Sequence, residues 1–297
     1  MTSIESVLIT GANAGIGKDT ARQLGLLPTT KKVFLGCRNP QKAEAAKAEL
    51  VAATGRDIFE VLIIDVADLA SVRVAVEALP QPVGALVMNA GGPGGRGTLD
   101  RTADGVTRMF AVNVLGHSVL AEGLIEAGKL GAVALYAGSE AARGVPALGM
   151  ARPKLPNSSV DDFASIADGS FTSKRDPNVH YGYVKYMGAM WMSSMARRHP
   201  SIRFVTMSPG ATSGTSGADE MSAFQRFMFT RIAFPLMTLF GRAHGVSEGA
   251  KRHVRGHFYA SAWPTTAGKV VDQAPIFPDL GNEAFQENAH EAVNRFV

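Results

Sequence analysis

The chain has 297 residues, of which 46% are apolar and 19% are charged. This balance supports a large buried core and excludes the disorder of chains with few apolar and many charged residues. The net charge of +4 is spread along the chain rather than gathered in a stripe, so we expect no nucleic-acid partner. The one cysteine, Cys37, excludes an internal disulfide and fits a reducing, cytoplasmic location.

Two segments bear on targeting and membranes. The chain opens with MTSIESVLITG, which enters a predicted strand almost at once, so we expect no signal peptide. The run FMFTRIAFPLMTLFG at 227–241 contains Arg231 and Pro235 and is shorter than the roughly 20 residues that a spanning helix needs. We therefore predict no membrane span and leave peripheral membrane contact open.

Short β-branched segments alternate with longer helical segments along the first 210 residues. The predicted strands are SVLITG, KVFLGC, FEVLIID, ALVMNAG, AVALYAG at 132–138 and RFVTMSPG at 203–210. The predicted helices lie at about 15–26, 40–53, 69–79, 104–127 and 180–198. This alternation is typical of a Rossmann-type α/β fold, a doubly wound parallel sheet with helices on both faces. A last strand near 268–273 would give about seven strands in a single domain over residues 1–297.

Two segments interrupt this alternation. Residues 143–179 are rich in Pro, Ser, Asp and Gly and stand where a short connection is the norm, so we predict an inserted loop. Residues 213–245 begin with a polar, glycine-containing stretch and then become strongly apolar, with five phenylalanines. We predict a kinked apolar helix there, which either packs in the core or covers a binding site.

Three glycines, Gly11, Gly15 and Gly17, follow the first predicted strand in TGANAGIG. A backbone without Cβ atoms can approach a pyrophosphate there, and the start of the helix offers N–H groups to the negative charge. A plain strand-to-helix turn is the alternative. We predict a dinucleotide-binding turn that also includes Asn13 and Ile16.

The end of the second predicted strand indicates which dinucleotide binds. An acid at this point binds the ribose 2′-OH of NAD, whereas an arginine accommodates the 2′-phosphate of NADP. Here Cys37 is followed by Arg38 and no acid, and a guanidinium can hold a phosphate through two hydrogen bonds. We predict NADP (NADPH) as the cofactor, with a solvated strand-end arginine as the alternative.

A series of short motifs extends this pattern over nearly the whole chain. It comprises TGANAGIG, Asp65 after the third strand, NAG at 89–91, Asn113, Ser139, a Tyr-x-x-x-Lys pair and PG at 209–210. In this order the motifs resemble the short-chain dehydrogenase/reductase family. The sequences of the segments TGANAGIGKDTA, CRNPQKAE and GHFYASA are most similar to those of the retinol dehydrogenases and the light-dependent protochlorophyllide reductases.

The resemblance implies positions for the cofactor and the substrate. It places Asp65 and Val66 beside the adenine, and Asn89, Ala90 and Gly91 along the ribose side. Near the nicotinamide it places Pro209, Gly210 and Thr212, and it makes residues 213–245 a lid over an apolar substrate. It also implies that Ser139 holds the substrate oxygen, that Lys185 binds the nicotinamide ribose, and that Asn113 anchors a water for proton resupply.

Three tyrosines surround one lysine in HYGYVKY at 180–186. Residues four apart share a helix face, and only Tyr181 has Lys185 four positions later. An ammonium about 5 Å away favours the phenolate by roughly 3 kcal/mol at an effective dielectric of about 20, which would lower the tyrosine pKa by about two units. We predict that Tyr181 is the general acid/base, and that Tyr183 and Tyr186 pack or line a pocket.

These features together predict an NADP-dependent oxidoreductase. It would transfer hydride between NADPH and a carbonyl or alcohol of a bulky apolar substrate, with the 143–179 insertion forming a wall of the substrate pocket. A protochlorophyllide-like double-bond reductase and a non-catalytic NADP-binding sensor stay open as alternatives.

Three further predictions concern metals, surface charge and assembly. We predict no metal site, although His253 and His257 stand four residues apart. The basic run KRHVR at 251–255 predicts a solvated helix face. A homo-oligomer is left open.

Overall fold

A computed structural model describes residues 4–145, 150–212, 243–258, 263–264, 270–271 and 278–297. The predicted lid at 213–245 therefore lies almost entirely outside the described residues. Among the helices that are described, none has the length and apolar character to cross a membrane.

The main sheet confirms the predicted Rossmann-type α/β fold. Its six strands are all parallel, in the order β3-β2-β1-β4-β5-β6. The strands are β1 (Ser6–Thr10), β2 (Lys32–Cys37), β3 (Phe59–Ile63), β4 (Val83–Met88), β5 (Leu130–Ala137) and β6 (Arg203–Met207).

The described sheet has six strands rather than the predicted seven. Short pairings stand outside it: β7 (Ala211–Thr212) pairs with β8 (Ala243–His244), and β9 (Trp263–Pro264) pairs with β10 (Val270–Val271). The last pairing is antiparallel. The apolar residues near 268–273 therefore contribute two described residues to a local ribbon and not a strand to the described main sheet.

The helices lie close to their predicted positions. They are α1 (Gly15–Gly25), α2 (Pro40–Thr54), α3 (Leu69–Ala78), α4 (Arg108–Phe110), α5 (Gly116–Glu126), α6 (Val160–Asp168), α7 (Pro177–Arg198), α8 (Val246–Phe258) and α9 (Glu283–Asn294). The helix predicted at 104–127 begins later because Thr107 caps it, accepting from the N–H of Phe110. It also passes through a π-helical turn at Ala111–Leu115 before continuing as α5.

The sheet is buried on both faces, as a doubly wound sheet requires. On one face, Leu8 of β1 packs in a core with Leu120 of α5 and Met187 of α7. On the other face, Ile9 of β1 packs with Leu24 of α1. Because the chain leaves β1 toward β2 on one side and β4 lies on the other, the carboxyl ends of β1 and β4 form the switch point where such sheets bind ligands.

The predicted inserted loop contains a helix. Ser159 and Asp162 form a capping box at the start of α6, each side chain accepting from the other's backbone N–H. Phe163 and Ile166 of this helix are fully buried in the main core. The described part of the insertion therefore includes one amphipathic helix that packs into the main core, because a cap and apolar residues at helical spacing lie within the polar segment.

Candidate active site

The glycine-rich turn joins β1 to α1 at the switch point. Gly11 and Gly15 have positive φ angles of 67° and 54°, which residues with a Cβ rarely adopt. A Cβ on Gly17 would lie 2.5 Å from the Asn89 amide nitrogen and would also meet the Gly11 carbonyl oxygen. The turn therefore depends on glycine for both its conformation and its close packing against β4.

Helix α1 begins without a side-chain cap. Its N-cap residue, Ala14, is extended and supplies no side-chain hydrogen bond. By contrast, Asn39, Asp68 and Asp176 cap the starts of α2, α3 and α7. The first N–H groups of an α-helix have no partner within the helix, so α1 presents donors that fit the pyrophosphate of a dinucleotide.

The end of β2 carries the residue predicted to select NADP. Arg38 follows β2 directly and its side chain is exposed. The N–H of Gly11 donates to the carbonyl of Gly36 at 2.8 Å, which holds the glycine turn beside this strand end. Arg38 is therefore placed near the turn with a side chain that is accessible to an anionic ligand.

The ends of β3 and β4 hold the residues predicted to border the adenine and ribose. Asp65 accepts from the N–H of Ala67 at 2.9 Å, so its carboxylate caps a local turn. Val66 is buried, and Asn89 donates from its amide to the carbonyl of Thr10 at 2.9 Å. The hydroxyl of Thr10 accepts from the N–H of Ala90 at 3.0 Å, so β1 and β4 are tied together at the switch point.

Asn113 fixes the loop that follows β4. Its side chain forms two hydrogen bonds with the backbone of Gly92, accepting from the N–H and donating to the carbonyl, both at 2.9 Å. It also donates to the carbonyl of Met109 at 2.8 Å. A Cβ on Gly91 would clash with the Asn113 amide oxygen. The side-chain amide is therefore occupied in shaping this loop, a structural role that the sequence did not predict.

Ser139, Tyr181 and Lys185 meet at the carboxyl end of β5. Ser139 follows the strand, accepts from the N–H of Ala141 at 3.2 Å, and forms a hydrogen bond with Tyr181. The Lys185 ammonium lies 5.6 Å from the centre of the Tyr181 ring. It donates to the carbonyl of Ala137 at 2.6 Å. The structure thus brings together the predicted acid/base Tyr181, its charged partner Lys185 and the predicted substrate-oxygen ligand Ser139.

The pKa of Tyr181 shifts in the direction opposite to the sequence expectation. Burial raises it, and the hydrogen bond with Ser139 opposes this only in part. Burial also lowers the pKa of Lys185 to about 7. The expected lowering assumed a charged lysine in a well-screened site, whereas the folded chain buries Lys185 and partly buries Tyr181, which penalises the charged form of each group.

The loop after β6 is held by a residue from the basic run KRHVR, for which a solvated helix face is predicted. Arg252 of α8 is buried and donates to the carbonyl of Pro209 at 3.3 Å. Its neighbour His253 is fully buried as well, so the prediction of a solvated basic face is wrong for these two residues. Gly210 has a positive φ of 77°, and the Thr212 hydroxyl donates to its carbonyl at 3.2 Å.

His117 is a further residue of this region, and it belongs to none of the sequence motifs. Its Nε2 lies 2.9 Å from the Thr10 hydroxyl, and its Nδ1 lies 3.4 Å from the carbonyl of Asn113. Burial lowers its pKa to about 3, so it is neutral at physiological pH. The spacing of four residues from Asn113 was the available signal, because it puts both residues on one helix face.

The two other tyrosines of the HYGYVKY segment hold the insertion and the C-terminal segment. The Tyr183 hydroxyl donates to the carbonyl of Lys154 at 3.1 Å and accepts from its N–H at 3.2 Å. The Tyr186 hydroxyl donates to Asp279 at 3.2 Å. Both residues therefore pack, as the helix arithmetic predicted, and they attach neighbouring segments to the helix that carries Tyr181.

A cavity of about 340 Å³ lies beside the start of α7. Its lining includes two ion pairs, Arg101 with Asp168 and Arg175 with Asp100. His180 also lines it. The lining contains none of Ser139, Tyr181 and Lys185, so this cavity is separate from the place where those side chains meet.

Comparison with known proteins identifies the family. The model of the short-chain dehydrogenases matches residues 5–144. Retinol dehydrogenase 11 of Mus musculus is 37% identical over 122 residues, which cover 40% of this chain and 37% of that protein. Dehydrogenase/reductase SDR family member 12 of Bos taurus is 31% identical over 205 residues, which cover 68% of this chain and 59% of that protein. The chain belongs to the short-chain dehydrogenase/reductase family.

The likeness to these curated relatives is partial, and each match spans less than two thirds of the relative's length. Solved structures match the fold of this chain over most of its length. A short-chain dehydrogenase from Sphingobium yanoikuyae in complex with NADPH has a TM-score of 0.58 at 22% identity, covering 85% of this chain and 84% of that one. An NADPH-bound carbonyl reductase from chicken fatty liver has a TM-score of 0.58 at 18% identity, covering 91% and 99%.

Proposed function

We propose that this family member is an NADP-dependent oxidoreductase that transfers hydride between NADPH and a carbonyl or alcohol carbon of a bulky apolar substrate. Tyr181 is the general acid/base. The observation that carries the proposal is the meeting of Ser139, Tyr181 and Lys185 at the end of β5, the same edge of the sheet that carries the glycine turn.

The chain's own groups fit the dinucleotide at the opposite end of the site. The uncapped start of α1 binds the pyrophosphate through backbone N–H groups, and Gly17 lets the turn pack closely enough to permit this. The exposed guanidinium of Arg38 binds the 2′-phosphate. When bound, the nicotinamide supplies or accepts the hydride.

The protonation states favour reduction of a carbonyl. With its pKa raised by burial, Tyr181 carries its proton at neutral pH and can donate it to a substrate oxygen as negative charge develops there. Ser139 donates a hydrogen bond that strengthens with that charge. Lys185, with a pKa of about 7, can gain or lose a proton in the same pH range and so return one to the phenol.

The proposed substrate is large and apolar on three grounds. Residues 213–245 contain five phenylalanines, in the segment that the family resemblance makes a lid. The insertion is anchored to α7 through Tyr183, which keeps it next to the helix that carries Tyr181. Two relatives that match 40% of this chain bear the name retinol dehydrogenase.

Rates of NADPH and NADH oxidation with aldehydes and ketones of increasing size test the proposal. We expect faster turnover with retinoid-like or steroid-like carbonyls than with small polar ketones, and loss of turnover in Tyr181→Phe. Tyr186→Phe is the matched control, since it removes from the same helix one hydroxyl that donates to Asp279, and it should retain turnover. Faster turnover of small polar ketones would contradict the substrate class, and full activity in Tyr181→Phe would contradict the mechanism.

One observation favours a second candidate, a non-catalytic NADP-binding protein. Burial, rather than attraction by Lys185, dominates the pKa of Tyr181, so the chain's own groups do not activate the phenol as a base. Tight NADPH binding without oxidation over the whole carbonyl panel would support this candidate. Turnover that depends on Tyr181 would exclude it.

A further inference from the structure

Tyr136 of β5 lies against the lysine of the candidate site. The Lys185 ammonium is 4.7 Å from the centre of the Tyr136 ring, closer than its 5.6 Å separation from the Tyr181 ring. Both distances are within the range over which an aromatic face attracts a cation. Tyr136 is fully buried, so solvent does not weaken this attraction.

Few groups other than the rings favour the charged form of Lys185. Its ammonium donates to the carbonyl of Ala137, and no carboxylate among the described residues pairs with it. His117 of α5 and His253 of α8 also face its charge, but burial lowers their pKa to about 3 and about 4. These histidines are neutral, and aromatic rings are therefore a main source of attraction for the ammonium.

Hydrogen bonding by the Tyr136 hydroxyl does not account for a tyrosine at this position. Within the described part of the chain it has no hydrogen-bond partner, although it is buried. A Cβ on Gly188 would lie 2.5 Å from this oxygen, so the phenol fits only because α7 carries a glycine one turn after Lys185. A buried hydroxyl without a partner destabilises the fold, which leaves the ring face toward Lys185 as the part that the site uses.

We propose that Tyr136 is a positioning residue for Lys185, whose ring holds the ammonium beside Tyr181 and favours its charged form. Tyr136 thereby sets the pH at which Lys185 exchanges protons with Tyr181. Its importance for turnover rests on the proposed function, whereas its effect on Lys185 does not.

The test compares Tyr136→Leu, which removes the ring, with Tyr136→Phe, which keeps the ring and removes the hydroxyl. The Lys185 titration is followed by NMR of protein labelled with carbon-13 at the lysine Cε, with the signal assigned by its loss in Lys185→Met. We expect Tyr136→Leu to lower the Lys185 midpoint by about one pH unit and Tyr136→Phe to leave it within a few tenths of a unit. The pH profile of NADPH oxidation should move with the midpoint in Tyr136→Leu.

An unchanged midpoint in Tyr136→Leu would overturn the proposal and leave Tyr136 as a packing residue. If Tyr136→Leu fails to fold, Gly188→Ala provides the second measurement, because its Cβ displaces the Tyr136 ring. A midpoint that stays in place in Gly188→Ala would likewise overturn the proposal. A shifted midpoint in a protein that fails to oxidise NADPH with every carbonyl of the panel would contradict the proposed function and retain the role of Tyr136.

Discussion

The starts of helices α1 and α7 differ in how their backbone N–H groups are used. Helix α1 begins at Gly15 with no side-chain cap and offers backbone N–H groups. Helix α7 begins with Asp176 capping its first turn, and the proposed acid/base Tyr181 lies about one turn further on. The proposed cofactor site depends on backbone geometry, whereas the proposed catalytic site depends on buried and half-buried side chains whose protonation is set by the elements packed around them. Substitutions at the two sites should therefore have different effects on turnover, stability and NADPH binding.

The largest expected effect concerns Tyr181. Tyr181→Phe should lower kcat by about 100-fold to 10,000-fold, the usual contribution of general acid/base catalysis, because the substrate oxygen loses its proton donor. NADPH affinity, measured by fluorescence titration, should change little, since the proposed dinucleotide site lies chiefly at α1. A comparable loss of NADPH affinity would show that the two ends of the site are not separable.

Lys185 should make the stability of the fold depend on pH. Burial lowers its pKa from 10.5 to about 7, so between these values the unfolded chain holds a proton that the folded chain has lost. Stability from this group therefore rises with pH, by at most about 1.4 kcal/mol per pH unit. The difference in free energy of unfolding between the parent and Lys185→Met, from urea titrations at pH 7 and pH 9, should show this rise. A difference independent of pH would contradict it.

Substitution of Gly17 tests the glycine-rich turn at the start of α1. Gly17→Ala places a Cβ against the Gly11 carbonyl and the Asn89 amide, and such overpacking costs about 1–3 kcal/mol. We expect a lower melting temperature and weaker NADPH binding. Gly131→Ala is the control, because a Cβ there would find its nearest atom at 3.6 Å. Equal effects of the two substitutions would indicate a general intolerance of alanine rather than a specific close approach.

The smallest expected effect concerns Arg38. Arg38→Ala should reduce the preference for NADPH over NADH by about 10-fold to 100-fold, which is the effect expected from losing one or two charge-assisted hydrogen bonds. NADH oxidation should be nearly unchanged, since NADH lacks the 2′-phosphate. The ratio of kcat/KM values for the two cofactors measures the change. An unaltered ratio would remove Arg38 from the phosphate site.

Local sequence patterns determined the fold class, and together with the family resemblance they predicted the members of the candidate site. Strand and helix periodicity predicted the parallel sheet to within a few residues, because parallel strands buried on both faces leave apolar runs in the sequence. The glycine turn was predictable because positive φ angles at Gly11 and Gly15 require glycine. Tyr181 could be separated from Tyr183 and Tyr186 because helical spacing alone decides which residue shares a face with Lys185.

Only the tertiary structure decided how these groups behave. The pKa of Tyr181 is raised rather than lowered, since burial is a property of several packed elements and no single segment reveals it. Tyr136 and His117 reach the site from β5 and α5 across long stretches of chain, and Arg252 supports Pro209 from 43 positions away. Sequence patterns record which residues lie near one another along a helix or strand, whereas desolvation and long-range contacts arise only when the elements pack.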